Sequence, residues 1–269
     1  MRIAQSTIGF QAKHLTASSE PFPTTVSELV PLFVELGWQG IEIWEPHVAE
    51  LERDELAALG TQIREAGLTV PMLSSYYNFT KSPEHAAESL ANGHRVLYEA
   101  RLLGARSLRI FTGNHRSADA SPEQWGRCAS CLRELCDSAA DDGISLSLHM
   151  HDWNLADTVA GTLRLLELVD RDNCRVLSKP AIYHPDHLAV HDALMPHLEA
   201  IHLTAGRTVD GQNQRCTLAE SDLDWEACIG HLHDHGFTGW LILNWMGSDA
   251  LRYGRDSAVW LRGVLEGLG

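Results

Sequence analysis

The chain has 269 residues, 44% hydrophobic and 21% charged, enough to bury a full core. Its 21 Lys plus Arg against 36 Asp plus Glu leave a net charge of −15, and no basic block interrupts this. That balance argues against nucleic-acid binding, which rests on phosphate neutralisation, and against docking on an anionic membrane. The opening MRIAQSTIGF has no long apolar run before a small-residue cleavage site, and no stretch approaches about 18 uninterrupted apolar residues. Neither a signal peptide nor a membrane span is expected. Six unevenly spaced Cys read as reduced thiols of a cytoplasmic protein. Two residue types are in surplus, 15 His and 8 Trp.

In chain order, β-like runs fall near residues 2–8, 39–44, 68–74, 106–112, 144–151, 175–179, 199–204 and 239–245. Helical patterns lie between them. Thr25 with Glu28 predicts a capping box for the first helix, and Pro31 predicts a kink inside it. Ser82-Pro83-Glu84 and Ser121-Pro122-Glu123 each read as an N-cap followed by Pro at the first helical position. After Ser121 the apolar residues Trp125, Cys128, Ala129, Leu132, Leu135, Cys136 and Ala139 step by three and four along one face. Asp141-Asp142-Gly143 then stops that helix, with Gly143 in the left-handed region. Ala258, Leu261, Leu265 and Leu268 stripe the last one. Eight β/α units in one domain, residues 1–269, predict an α/β fold, a (β/α)8 TIM barrel. A doubly wound sheet would usually carry a G-x-G-x-x-G turn after the first strand, and Gly9-Phe10-Gln11-Ala12 is not one.

Side chains alternate along a strand, so the inward faces can be sorted. The fifth run divides into Ile144, Leu146, Leu148 and Met150 outward, and Ser145, Ser147, His149 and His151 inward. The same sorting turns Glu42 and Trp44 inward on the second run, Arg109 on the fourth, His202 on the seventh and Asn244 on the eighth. The sixth is open: if Val176 faces out, Lys179 faces in. These side chains converge at the C-terminal mouth, where barrels carry their chemistry. Trp153, Tyr76, Tyr77 and Tyr183 follow strand ends and are candidate walls for a ligand. His115, His47 and Arg207 lie in following loops within reach of one. Gly206-Arg207 and Gly247-Ser248 are weak phosphate signals, so an unphosphorylated substrate is expected. Two patterns read as decoys. Cys128-x-x-Cys131 has no second pair, and Cys128 lies on the apolar stripe. His231, His233 and His235 alternate within a helix, where i and i+2 face apart, so they read as surface residues. His184, His187, His191 and His197 read the same way.

Several segments resemble the sugar isomerase/epimerase superfamily of xylose-isomerase-like barrels. They are Leu36-Gly37-Trp38-Gln39-Gly40-Ile41-Glu42, Leu103-Gly104-Ala105-Arg106, and His149-Met150-His151-Asp152-Trp153-Asn154-Leu155-Ala156-Asp157-Thr158. His202, Asp224-Trp225 and Gly236-Phe237-Thr238-Gly239 add to them. The resemblance implies an enzyme acting on a small sugar-like substrate, most often by abstracting a proton next to a carbonyl. It also implies a divalent metal held by Glu, Asp, His and Glu on strands five to eight. Those positions are here His149, Lys179, His202 and Asn244. A hard cation such as Mg²⁺ or Mn²⁺ wants carboxylate oxygens. The expectation is therefore no cofactor, or a softer divalent metal on His149 and His202 with Asn244 or Glu42. Without metal, His149 or Glu42 would be the base, Lys179 or Arg109 would stabilise the oxyanion, and His202 would be the acid. Lys179 could instead form a Schiff base with a ketone. A non-catalytic carbohydrate-binding relative is the alternative. Assembly as a homo-oligomer is left open.

Overall fold

The computed structural model describes residues 1–11, 25–179, 186–245 and 249–269. Tyr183, His184, Gly247 and Ser248 lie outside them. Eight parallel strands close a barrel: β1 (Arg2–Ser6), β2 (Gly40–Trp44), β3 (Leu73–Ser74), β4 (Ser107–Ile110), β5 (Ser145–His149), β6 (Cys174–Ser178), β7 (Leu198–Leu203) and β10 (Trp240–Leu243). Each lies beside its sequence neighbour, and β1 pairs with β10 to close the ring. The eight runs read from the sequence are these strands, although the third shrinks to two residues.

The helices form the outer layer: α1 (Val26–Glu35), α2 (Arg53–Glu65), α3 (Pro83–Leu103), α4 (Pro122–Ala140), α5 (Val159–Val169), α6 (His187–Leu194), α7 (Trp225–Asp234) and α8 (Ala250–Leu268). Thr25 caps α1 in a capping box with Glu28, Ser82 caps α3 and Ser121 caps α4. Gly143 takes φ +63° beyond the end of α4. Pro31 cannot donate to the Ser27 carbonyl one turn back. Gln62 of α2 donates to that carbonyl instead, at 3.1 Å, and α1 runs on to Glu35.

Two apolar layers result from the strand alternation. Ile41, Ile43, Leu108, Ile110, Leu146, Leu148, Val176, Ile201, Leu203, Leu241 and Leu243 face the helices, all fully buried. Burying such a side chain stabilises by about 2 kcal/mol as an upper bound. Ala4, Met72, Leu177, Ala200, Trp240 and Ile242 form a separate cluster inside the barrel. Leu177 is inward and Val176 outward, so Lys179 is inward, which closes the question the sixth run left open. A register shift between β6 and β7 makes Glu199 the extra residue of a bulge. The sequence hides a further element, an antiparallel hairpin of β8 (Gly206–Val209) and β9 (Gln212–Arg215) after β7. Its turn is Asp210-Gly211, at φ +51° and +76°. An Asp-Gly pair is the signal for such a turn. All six Cys are buried and free, Cys131 included, which agrees with packing roles. No helix among the described residues is long and apolar enough to cross a membrane.

Candidate active site

Seven strands deliver polar side chains to the C-terminal mouth. Glu42 and His202 are fully buried, and Arg109, His149, Asn244 and Lys179 are nearly so. His202 Nε2 donates to Glu42 Oε1 at 3.1 Å, and Ser74 Oγ donates to the same oxygen. Burial alone would raise the Glu42 pKa. The His202 charge and hydrogen bond, Arg109 and Ser74 outweigh it and bring it down to about 2. Glu42 is therefore a carboxylate already committed to two donors. Both contacts are made by Oε1, and Oε2 has no partner among the described residues. Burial pushes the His202 pKa down against the pull of Glu42.

His149 has the opposite situation. Both of its ring nitrogens are buried without a partner among the described residues. Burial, with the charges of His202, Arg109 and Lys179, holds its pKa well below the ordinary value, so the ring is neutral. Its ring packs against His202 at 5.1 Å and against Phe111, edge-on, at 4.9 Å. Lys179 Nζ donates to Asn244 Oδ1 at 3.4 Å. Burial lowers its pKa to about 8, helped by Arg109 and Arg215 and opposed by Glu42 and Asp152. Arg109 donates to the Ser75 carbonyl at 3.2 Å while its Nε has no partner among the described residues. Its guanidinium lies over Tyr76 and Phe111, 4.7 and 5.0 Å from the ring centroids.

The rim is aromatic. Tyr76 stacks on Phe111 at 5.4 Å, Trp44 Nε1 donates to Tyr76 OH at 3.3 Å, and His151 packs between Phe111 and Trp153. Trp153 is two-thirds exposed and sits at φ +76°, which is strained for a bulky residue. Tight pinning of its loop holds it there. Asn154 donates to the His149 carbonyl at 3.2 Å, Thr112 accepts from Leu155 N at 2.9 Å, and Asp157 pairs with Arg116.

Three predicted contacts fall away from this cluster. His115 pairs with Thr80 Oγ1 at 3.0 Å in the next loop. Arg207 is exposed on β8 and faces Glu220 at 3.7 Å. The hairpin brings Arg215, from its other strand, into the field of Lys179 instead. Tyr77 is buried against Phe79 as packing. Phe111 and Ser74 were missed, and both were findable: Phe111 shares the inward face of Arg109, and the third run could be sorted like the others. A cavity of about 770 Å³ opens at the opposite end of the barrel, lined by Arg2, Arg106, Arg175 and Glu199 among others.

The family model described as xylose isomerase-like TIM barrel matches residues 30–264. The chain belongs to the xylose isomerase-like TIM-barrel family. A 3-dehydroshikimate dehydratase of Bacillus anthracis is 25% identical over 153 residues, 56% of this chain and 54% of that protein. The chain thus matches about half the length of that relative. Among solved structures, a probable 3-DHS dehydratase from Bacillus anthracis superposes with TM-score 0.81 at 19% identity, covering 97% of this chain and 99% of that one. A D-psicose 3-epimerase from Clostridium cellulolyticum H10, solved with D-tagatose, gives 0.77 at 14%, covering 100% and 99%.

The metal implied by the resemblance fits poorly in this xylose isomerase-like barrel. An ammonium hydrogen-bonded to an amide stands at two of the four positions, and the His202 nitrogen that faces inward is taken by Glu42. Among the described residues, a trio of His, Cys, Asp or Glu ligand atoms within 4.8 Å of one another is formed elsewhere, by Asp192, His231 and His235. Asp192 lies on α6, and His231 and His235, one turn apart, lie at the end of α7. A spacing of two residues turns imidazoles apart, whereas a spacing of four brings His231 and His235 to one side of the helix.

Proposed function

We propose that this chain is an enzyme of the isomerase, epimerase or lyase type. It abstracts a proton next to the carbonyl of a sugar or related polyhydroxy compound, without the Mg²⁺ or Mn²⁺ site of its relatives. One observation carries this reading: a neutral imidazole, His149, with neither nitrogen partnered among the described residues, lies in the field of the Lys179 ammonium and the Arg109 guanidinium at the mouth of the barrel. His149 takes the α-proton. Lys179 and Arg109 hold the negative charge that develops on the carbonyl oxygen, where relatives would use a metal ion. Proton return at the neighbouring carbon gives isomerisation, and return to the opposite face gives epimerisation. Loss of a β-hydroxyl as water gives the dehydration that the relatives' names describe. Trp44, Tyr76, His151 and Trp153 wall the substrate, and Asn244 positions Lys179.

A second reading is a carbohydrate-like binding protein with a degenerate site. The observation in its favour is that Glu42 is committed and the His149 pKa is low. Solvent-deuterium exchange decides between them. Deuterium should enter D-fructose, D-psicose or 3-dehydroshikimate at the carbon next to the carbonyl. No exchange into any of them above the uncatalysed rate would sink the catalytic reading. Metal analysis should accompany it on His235→Ala protein, because the outer Asp192, His231 and His235 trio would otherwise contribute ions of its own. A stoichiometric metal that survives that substitution and is required for exchange would overturn the metal-free mechanism.

A further inference from the structure

We propose that the outer layer of helices carries a site for Zn²⁺, or a like imidazole-preferring divalent ion, that ties α6 to α7 through Asp192, His231 and His235. One ligand atom from each of the three lies within 4.8 Å of the other two. His231 and His235 stand one turn apart, and their ring centroids are 4.2 Å apart. Two imidazoles and one carboxylate are a donor set that suits Zn²⁺, with water in the fourth position. Ligand atoms around a tetrahedral Zn²⁺ stand about 3.4 Å apart. His231 Nε2 and Asp192 Oδ1 are 2.7 Å apart, so that contact opens by less than an ångström. Asp192 and His235 are exposed and can adjust by side-chain rotation. His235 precedes Gly236, which lines the cavity at the N-terminal end, so the trio stands at the end opposite the mouth.

The rings are oriented before any ion arrives. His235 Nδ1 lies 2.8 Å from the His231 carbonyl, and a carbonyl only accepts, so Nδ1 carries the proton. In the neutral ring that leaves the lone pair on Nε2. An imidazole held to a backbone carbonyl through its other nitrogen is the arrangement that orients metal-binding His. The His235 backbone N–H reaches the same carbonyl at 3.2 Å and fixes the chain at the end of α7. His231 Nε2 donates to Asp192 Oδ1. The ion takes the place of that proton, and the neutral ring then keeps its one proton on Nδ1. Among the described residues Asp192 pairs with no Lys or Arg, so its charge is available to the ion. His191, beside Asp192 in the chain, is fully buried, and its Nε2 has no partner among the described residues. It lies in the field of His231 and Asp192, so a further uncommitted imidazole nitrogen accompanies the trio. A net charge of −15 favours the approach of a dication.

This inference does not depend on the reaction at the mouth, and its test reads metal and not turnover. Protein stripped with EDTA is dialysed against Zn²⁺ or Co²⁺ near neutral pH. One Zn²⁺ per chain should bind with a Kd of about 10 μM or tighter. Co²⁺ in its place should show the strong visible absorption of a four-coordinate ion. His235→Ala and Asp192→Ala should each weaken Zn²⁺ binding about tenfold or more and remove that absorption. His149→Ala, at the mouth, should leave both as they are. Zn²⁺ at about 100 times its Kd should raise the melting temperature of the unsubstituted chain by about 5 °C, and that of His235→Ala by less than about 1 °C. Circular dichroism confirms that the variants fold. Zn²⁺ binding weaker than about 100 μM, or binding that neither outer substitution weakens, overturns the proposal. An ion lost in His149→Ala and kept in His235→Ala overturns it too, and places the metal at the mouth. The outer ion bound as expected, with no deuterium exchange into any carbonyl compound, would leave this inference standing and remove the catalytic reading.

Discussion

The two ends of the barrel solve the same problem in opposite ways. Each encloses a carboxylate among polar strand residues. At the N-terminal end the bulged Glu199 accepts from Ser107 Oγ at 2.9 Å, from Ser145 Oγ at 2.5 Å and from Ser147 Oγ, and the Ser107 and Ser147 hydroxyl oxygens lie 3.0 Å apart. None of these four side chains leaves a buried polar atom without a partner. At the C-terminal end, Glu42 Oε2, Arg109 Nε, both nitrogens of His149, His202 Nδ1, Thr204 Oγ1 and Asn244 Nδ2 are all buried and without a partner among the described residues. Native structures rarely tolerate such atoms, because each costs about 1–3 kcal/mol. Their grouping at one end, with an apolar layer of Met72, Leu177, Trp240 and Ile242 between, is what the proposed ligand site at that end would require. The other end is kept for the fold.

Substitution at each end tests this division. The largest effect is expected from His149→Ala. Removing a positioned base should lower the exchange rate about 10²–10⁴-fold. It should leave the melting temperature nearly unchanged, because two orphaned nitrogens go with the ring. Full retention of exchange in the variant would move the base elsewhere, and a collapse in stability would make His149 a residue of the fold. A smaller and opposite effect is expected from Glu199→Ala. Loss of hydrogen bonds to a charged group should cost about 2 kcal/mol in urea denaturation. The exchange rate of the remaining folded protein should stay as it was. A variant that folds well and loses its activity would break the division from the other side.

The same contrast explains what the sequence makes legible. Strand alternation needs only the period of two and an outer apolar face. It therefore places Glu42, Arg109, His149, His202 and Asn244 together before any coordinates, and the resemblance to the family rests on the His149–Thr158 segment and His202 as well as on the glycine-containing turns. What the alternation cannot carry is pairing. Glu42 reads as a free base until Ser74 and His202 are seen to hold it, because the identity of its partners depends on the stagger of neighbouring strands. Arg207 reads as a contact residue until β8 pairs with β9 and turns it toward Glu220. Glu199 reads as unremarkable because the bulge that turns it inward is set by the register of β6 against β7. Lys179 stays ambiguous for the same reason, since its run has no clean alternation of its own.

The smallest effect separates strain from contact on the ligand side. Trp153 holds φ +76° at an exposed position, so its backbone energy is not repaid by buried area. Glycine meets no penalty there, and Trp153→Gly should relieve about 1 kcal/mol of strain. That is offset in part by the greater freedom glycine gives the unfolded chain. The net expectation is a melting temperature unchanged or raised by about 2 °C. The pins on either side, Asn154 to the His149 carbonyl and Asp157 to Arg116, do not involve the indole and should keep the loop in place. If the indole walls the ligand, the same variant shows a raised KM in the deuterium-exchange assay while its melting temperature does not fall. A loss of both together would instead mean that Trp153 holds the loop, and its strained backbone would then belong with the residues that serve the fold.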